Sequence, residues 1–430
     1  MTDMFYRSPV ARYPMVERGE GIYLWDRDGR RYLDGASGAL VANLGHGRRE
    51  IAAAMADQAA KVAFAHTVRF TSQAQEDLAA RVARLLPYGL RHTYPVSGGS
   101  EAVETAFKLV RQYFLERGES RRFRIVAQWP SYHGNTLGAL SASGHLGRRV
   151  PYDPLLSPAF VHVPAPSPDC PGVDDGGECP CLRAVRAVFE QAGPDTLAAF
   201  IHEPVGGSSN SASVPHRGYV RALADLCHVY GLLFIADEVM TGFGRTGRML
   251  GSEHHDTPVD LITCAKGISG GYAPLGAVVT TDAVHDTIRN GSGTFAHGLT
   301  FGGHPVACAA GAKALEILER EALVTNAQAM GDLLGAGLAA LRDRHPAVLG
   351  VRGLGLMRGL VLHTDRRGPG ARAARLGNIA FANGLIVYPG SGGGDSRFGD
   401  HVLVGPPLVI DRAGVDELVA LLDGALDQLE

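Results

Sequence analysis

The sequence predicts an α/β protein whose large domain is built on a mainly parallel sheet with helices on both faces, followed by a small α+β domain. Three observations carry this. From Ser97 to about Leu318, short apolar runs alternate with stretches of helical periodicity, the pattern of strands joined by crossover helices. Runs such as Leu232-Leu233-Phe234-Ile235-Ala236 are apolar throughout, as strands buried on both faces are. After about residue 325 the texture changes to longer helices between isolated strands.

Taken in order, residues 1–47 begin irregularly. Gly21–Trp25 and Arg31–Leu33 then flank the turn signal Asp28-Gly29 as a hairpin does. Helical periodicity starts near Arg49 and returns from Gln73 to Leu86, ahead of Pro87. The expected strands of the sheet are Phe123–Ala127, Leu197–His202, Leu232–Asp237, Leu261–Cys264 and Ala277–Thr281. The expected helices are Glu101–Arg117, Leu182–Gln191, Gly218–Tyr230 and Pro305–Leu318. Beyond them come a helix at Ala327–Leu341, strands at Val348–Leu354 and Met357–Leu362, and a helix at Ala371–Asn383. A Gly/Ser loop at Gly390–Asp395, a strand at His401–Val404 and a helix at Val415–Leu429 complete the chain. The expected division is 1–60 as an N-terminal segment packing with the small domain, 61–325 as the large domain and 326–430 as the small domain.

Composition limits the function. The 430 residues are 45% hydrophobic and 20% charged with a formal charge of -3, which is ordinary for a globular chain and gives nucleic acid or an anionic membrane no electrostatic attraction. The clusters Arg121-Arg122-Phe123-Arg124 and Arg148-Arg149 are expected to be solvated surface. No apolar run is long enough to span a bilayer, and MTDMFYRSPVARYP lacks a signal-peptide hydrophobic region, so the expected compartment is the cytoplasm. Cys227, Cys264 and Cys308 lie in apolar segments and are expected to be buried. Cys170, Cys179 and Cys181 share a Pro/Gly/Asp-rich loop whose spacing matches no standard zinc pattern, so a reduced surface loop without metal is expected.

The chemistry gathers where strands end. Leu261–Ala265 stops at Lys266, with glycines at 267, 270, 271 and 276. Burial there pushes a lysine towards a neutral, nucleophilic amine able to form a Schiff base, although a lone strand-end lysine far more often reaches water, so Lys266 needs the company of other groups. Leu232–Ala236 ends in Asp237-Glu238, a carboxylate that can cap a turn or keep a pyridine nitrogen protonated. Ser97-Gly98-Gly99-Ser100 opens a helix and offers free backbone N–H groups to a phosphate, without matching a Walker or dinucleotide fingerprint. Tyr132-His133-Gly134 follows the strand Phe123–Ala127, and Glu203-Pro204 follows Leu197–His202. Each feature alone has a structural explanation. A lysine, a carboxylate, a phosphate cradle and a stacking ring at one sheet edge together describe a pyridoxal 5'-phosphate site.

The segments GEGIYLWDRDGRRYLDGASG, SGGSEAVETAFKLVRQY, YHGNTLGAL, HEPVGG, IADEVMTGFGRTG, CAKGISGGYAPLGAV, HGLTFGGHPVACAAG, RGLGLMRGL and GPPLV extend this to nearly the whole chain. With them the chain resembles the class III (omega) aminotransferases of the fold type I pyridoxal-phosphate enzymes. The resemblance implies that Lys266 carries the cofactor as a Schiff base and that Asp237 pairs with the ring nitrogen. It implies that Tyr132 and Val239 cover the two ring faces, with His133 and Gly134 beside Tyr132. By the same resemblance Gly99 and Ser100 hold the phosphate, Glu203 stands near the ring, and Thr300 reaches the phosphate site of a partner in a homodimer. The implied reaction takes an amino group from an amine or amino acid, omega-amines included, and gives it to an oxo acid such as pyruvate, through pyridoxamine phosphate. An amino-acid epimerase and a decarboxylating aminotransferase use the same residues, and a non-catalytic pyridoxal-phosphate-binding module is a more distant alternative.

Two departures bear on substrate. The branch specific for α-amino acids places an arginine before the Pro-Pro pair and a glutamate after Glu-Pro; here Leu403 and Ser208 stand at those positions. Leu40 stands where amine-accepting relatives often carry a tryptophan, which implies a wider pocket. In amine transaminases a mobile arginine binds the carboxylate; Tyr388 aligns near its place, and Arg397 approaches the same point from the glycine-rich loop.

Overall fold

The computed structural model describes residues 3–166, 170, 179–365, 368–391 and 400–429. Its first strands are β1 (Val16–Glu20), β2 (Tyr23–Asp26) and β3 (Arg31–Asp34), which form an antiparallel meander. The central strands are β4 (His92–Val96), β5 (Arg124–Trp129), β6 (Phe160–Pro164), β7 (Leu197–His202), β8 (Leu233–Asp237), β9 (Leu261–Cys264) and β10 (Gly276–Thr280). The last are β11 (Val348–Leu354), β12 (Met357–Leu362), β13 (Leu385–Ile386), β14 (Tyr388–Ser391) and β15 (Asp400–Val404).

The central sheet has the order β4-β10-β9-β8-β7-β5-β6. Only β10 runs against the others, pairing antiparallel with β9 and β4, while β5–β6, β5–β7, β7–β8 and β8–β9 are parallel. Six carboxyl ends and the amino end of β10 therefore share one edge. Alternation along each strand divides the apolar side chains between two cores. Ile125, Ala199, Ile201, Ile235 and Val278 pack on one face with Val103, Val110 and Phe114 of the helix Gly99–Glu116. Val126, Phe200, Phe234, Ile262 and Val279 face the other side, with Leu182, Val185 and Phe189 of the helix Pro180–Ala192 and Leu223 of the helix Tyr219–Val229. Cys227, Cys264 and Cys308 are fully buried among apolar neighbours.

β11-β12-β15-β14 form a separate antiparallel sheet. β13 instead pairs in parallel with β3, through Leu385↔Leu33 and Ile386↔Asp34, and so stitches the C-terminal part to the N-terminal meander. Tyr23 Oη and Arg31 Nη2 both donate to Glu417 at 2.6 Å across the same junction. Among the described residues no helix is long and apolar enough to cross a membrane. β4 and β6, the outer strands, were not expected from the sequence; β1, β14 and the helix Asp282–Asn290 were not either.

Candidate active site

Lys266, Asp237, Glu203, Tyr132, His133 and the turn that opens the helix Gly99–Glu116 meet at the carboxyl edge of the central sheet. Lys266 follows β9 after the single residue Ala265, in the left-handed region at φ 49°. Its side chain is half-buried by area but surrounded by protein, and burial pushes its amine down to about 8; the charges of Asp237 and Glu203 pull it back up, and those of Arg245 and Arg148 push it further down. Among the described residues the amine has no hydrogen-bond or ion-pair partner.

Asp237, the last residue of β8, lies opposite Thr263 of β9 and is 5% exposed. Its Oδ2 is 2.7 Å from His133 Nδ1, and its Oδ1 accepts from the Val239 backbone N–H at 3.1 Å. His133 is itself buried and held by its backbone N–H donating to Ser143 Oγ at 2.8 Å. Glu238 does the turn-capping that the Asp237-Glu238 pair left open: it accepts from Gly251 N at 2.8 Å, Ser252 N at 2.9 Å and Thr241 Oγ1. Glu203 accepts from Tyr132 N at 3.2 Å and Gly207 N at 3.0 Å, tying two strand ends together. Burial pushes its carboxyl up to about 7, His133 opposing and the Asp237 charge adding to the rise.

The helix Gly99–Glu116 starts without a side-chain cap, because Gly98 holds the N-cap position. Its first N–H groups thus stay available for an anion. The turn fits tightly against its neighbours. A Cβ on Gly276 would stand 2.7 Å from Gly98 O, and one on Gly99 would stand 3.0 Å from Val239 Cγ1. Gly134, at φ 142°, brings Asn135 N within 3.0 Å of Ser100 Oγ, and a Cβ there would lie 2.6 Å from that oxygen.

The Arg148-Arg149 pair is not the solvated surface expected. Arg149 donates to the carbonyls of Leu140, Ser141 and Ser143 and lies against Trp129. The Arg148 guanidinium sits 4.2 Å from the centre of the Tyr132 ring. A cation in this place had no sequence signal, since Arg148 is separated from every motif residue it approaches by a short helix. Leu40, Leu403 and Tyr388 come together in one apolar cluster with Val205, Ala212 and Met357. Leu40 and Leu403 are almost fully buried, so the place of the absent arginine is filled by hydrocarbon, and Ser208 is buried nearby. Arg397 lies outside the described residues. Thr300 is exposed in a turn next to the exposed Phe301.

The arrangement fits pyridoxal 5'-phosphate on this geometry: an unpartnered amine with a lowered pKa, a buried carboxylate fixed by a histidine, and an uncapped helix start. Comparison with known proteins agrees. The family profile for class III aminotransferases matches residues 6–426. An uncharacterized aminotransferase of Bacillus subtilis, YodT, is 35% identical over 431 residues, covering 98% of this chain and 96% of its own. The putrescine–pyruvate aminotransferase of Pseudomonas aeruginosa is 32% identical, over 96% of this chain and 90% of its own. An (S)-enantioselective omega-transaminase from Thermomicrobium roseum superposes with a TM-score of 0.89 at 36% identity, covering 99% and 96% of the two chains. The chain belongs to the class III aminotransferases. It is a pyridoxal-phosphate-dependent enzyme of fold type I that transfers an amino group to an oxo acid.

Proposed function

We propose that Lys266 holds the cofactor covalently and is the base that moves the substrate proton, with Asp237 as the partner of the ring nitrogen. The observation that carries this is the Lys266 amine at the end of β9, lowered to about 8 by burial, beside an Asp237 fixed by His133. When bound, pyridoxal phosphate supplies a carbonyl for the donor amine and a ring that stores the electron pair left at the substrate Cα. With a pKa near 8, a useful fraction of Lys266 is neutral at physiological pH and can take the Cα proton on Nζ. The Asp237 carboxylate, held on both oxygens, would keep a proton on the cofactor's ring nitrogen. Gly99 and Ser100 would offer backbone N–H groups to the phosphate, Tyr132 and Val239 would cover the ring faces, and His133, Gly134 and Glu203 set the position of Tyr132 and Asp237.

The substrate pair is an amine or amino-acid donor and a small oxo acid. The P. aeruginosa relative named for putrescine and pyruvate supports an amine donor with pyruvate as acceptor. A hydrocarbon wall of Leu40, Leu403 and Tyr388 suits the donor's apolar part. The acceptor's carboxylate needs a cation, and Arg397 and Arg148 are the two candidates. We assign the protein to the cytoplasm as a homodimer with shared sites, Thr300 serving the partner's phosphate. We read residues 61–325 as the cofactor-binding domain and 326–430 as the small domain with 1–60 packed on it.

Borohydride reduction of the holoenzyme followed by peptide mapping is expected to place the pyridoxyl group on Lys266. Lys266→Ala is expected to keep cofactor by its phosphate yet lose turnover by at least about a hundredfold. Label on another lysine would overturn the assignment.

A further inference from the structure

Away from the active site, three cysteines and a histidine converge. Cys170 follows β6 by six residues, and Cys179 and Cys181 flank Pro180 at the start of the helix Pro180–Ala192. His216 arrives from a different part of the chain, just ahead of the helix Tyr219–Val229. Their three sulfurs and one imidazole nitrogen all lie within 4.8 Å of one another. Cys179 is buried and the other three are half-buried. We propose that Cys170, Cys179, Cys181 and His216 form a closed, tetrahedral structural site for a divalent zinc ion.

The ligand set is the first argument. Three thiolates and one imidazole are a standard zinc shell, with Zn–S about 2.3 Å and Zn–N about 2.0–2.1 Å. Those bonds set neighbouring ligand atoms roughly 3.5–3.8 Å apart. Cys179 Sγ and His216 Nε2 are already at 4.0 Å, and no pair needs to close by more than about 1 Å. The surroundings are the second argument. Cys179 is the N-cap of a helix of 13 residues; its side chain accepts no capping hydrogen bond, so the first backbone N–H groups of that helix lie next to its sulfur without being taken up by it. Amides so placed stabilise a thiolate, metal-bound or not. Nδ1 of His216 lies 3.5 Å from the Arg217 carbonyl, the partner that leaves Nε2 facing the sulfurs, and the ring packs edge-on against Tyr219 at 5.0 Å.

Chemistry also separates zinc from a plain thiol cluster. A divalent cation displaces the thiol protons as it binds and gives the three sulfurs a shared counter-charge. No disulfide joins any of the six cysteines. Four protein ligands fill the tetrahedron and leave no open position, so the ion is a clip and not a Lewis acid. It joins the segment after β6 to the segment between β7 and the helix Tyr219–Val229, which begins with Glu203 and Gly207.

The full-length enzyme, expressed with zinc in the medium and desalted, tests this by elemental analysis. About one zinc per chain is expected, falling below roughly a tenth in His216→Ala and Cys181→Ser but kept in the buried control Cys227→Ser. Stripping zinc from the wild-type protein with a chelator is expected to lower its thermal midpoint by roughly 5 °C or more, with recovery on adding zinc alone. This second measurement decides the matter if the variants fail to fold. The proposal is overturned by wild-type protein that takes up no zinc under anaerobic reconstitution, by ligand variants that retain it, or by a Cys170–Cys179 disulfide in protein purified without reductant.

Discussion

Lys266 and Glu203 are two ionisable groups that the fold pushes towards neutrality at one place. Lys266 also sits at φ 49°, a backbone region that costs a residue with a side chain about 1 kcal/mol or more. The two shifts leave opposite signatures in stability. Glu203 titrates near 4.5 when unfolded and about 7 when folded, so between those values the native state holds more protons than the unfolded state. Stability therefore falls as pH rises from about 4.5 to 7 and is flat, for this group, on either side. Lys266, lowered from 10.5 to about 8, weakens the fold below pH 8 and relieves that cost as pH rises through the window above. In cofactor-free protein, Glu203→Gln is expected to remove the fall between pH 4.5 and 7. The gain at pH 8 is about 2 kcal/mol, after allowing for partial exposure. Urea denaturation across that range checks it, and parallel curves for variant and wild type would show that Glu203 pays no burial penalty.

At the scale of elements, Arg245 joins three parts of the chain that the sequence leaves far apart. It is fully buried, inside the loop that Glu238 holds through Thr241, Gly251 and Ser252. Its guanidinium donates to the carbonyls of Leu356 and Pro406, to Ser37 Oγ at 3.2 Å and to Asn43 Oδ1. Burial lowers its pKa to about 9, with Asp34 opposing, and it remains a cation at neutral pH. Arg245→Ala would strand four acceptors in the interior and is expected to cost about 3 kcal/mol or more, with Arg245→Lys recovering part of it. Thermal denaturation of the cofactor-free variants measures this, and a loss below about 1 kcal/mol would mean that water replaces the side chain without penalty. The same scale shows what sequence could and could not carry. β7, β8 and β9 were legible because they are central, buried on both faces and almost wholly apolar, and each runs into a residue with chemistry within two positions of its end: Glu203, Asp237 and Lys266. β4 and β6 are the two outer strands. His92–Val96 contains Pro95, which an outer strand tolerates but a central one does not, and Phe160–Pro164 is only partly buried. Arg148 beside Tyr132 and His216 beside three cysteines were illegible for another reason: each contact joins loops whose approach is set by the packing of whole helices.

At the scale of the whole molecule, one face is unfinished. The segment 62–70 presents Val62, Phe64, Val68 and Phe70 to solvent, and Phe64 lies edge-on to Phe301, which is 58% exposed. Thr67 lies against Gly303 in the turn that carries Thr300. Burying large apolar side chains of this kind is worth about 1.5–3 kcal/mol each, so this cluster alone can supply much of a stable association. In the homodimer proposed above, a two-fold pairing of this face would put Thr300, next to Phe301, at the interface. Phe301→Glu is then expected to shift sedimentation of the holoenzyme from dimer to monomer and to weaken cofactor retention at the same time. A complementation experiment tests the shared site more sharply. Lys266→Ala and Thr300→Val chains are dissociated, mixed and allowed to reassociate, and turnover is measured at limiting cofactor. If Thr300 serves the partner, each mixed dimer contains one site with Lys266 from one chain and an intact Thr300 from the other. Random mixing makes half the dimers mixed, so about a quarter of all sites should regain wild-type turnover above the residual activity of Thr300→Val alone. If Thr300 instead serves its own chain, every mixed dimer has one site without the lysine and one without the threonine. Activity then stays at the average of the two parents, and the shared site is refuted.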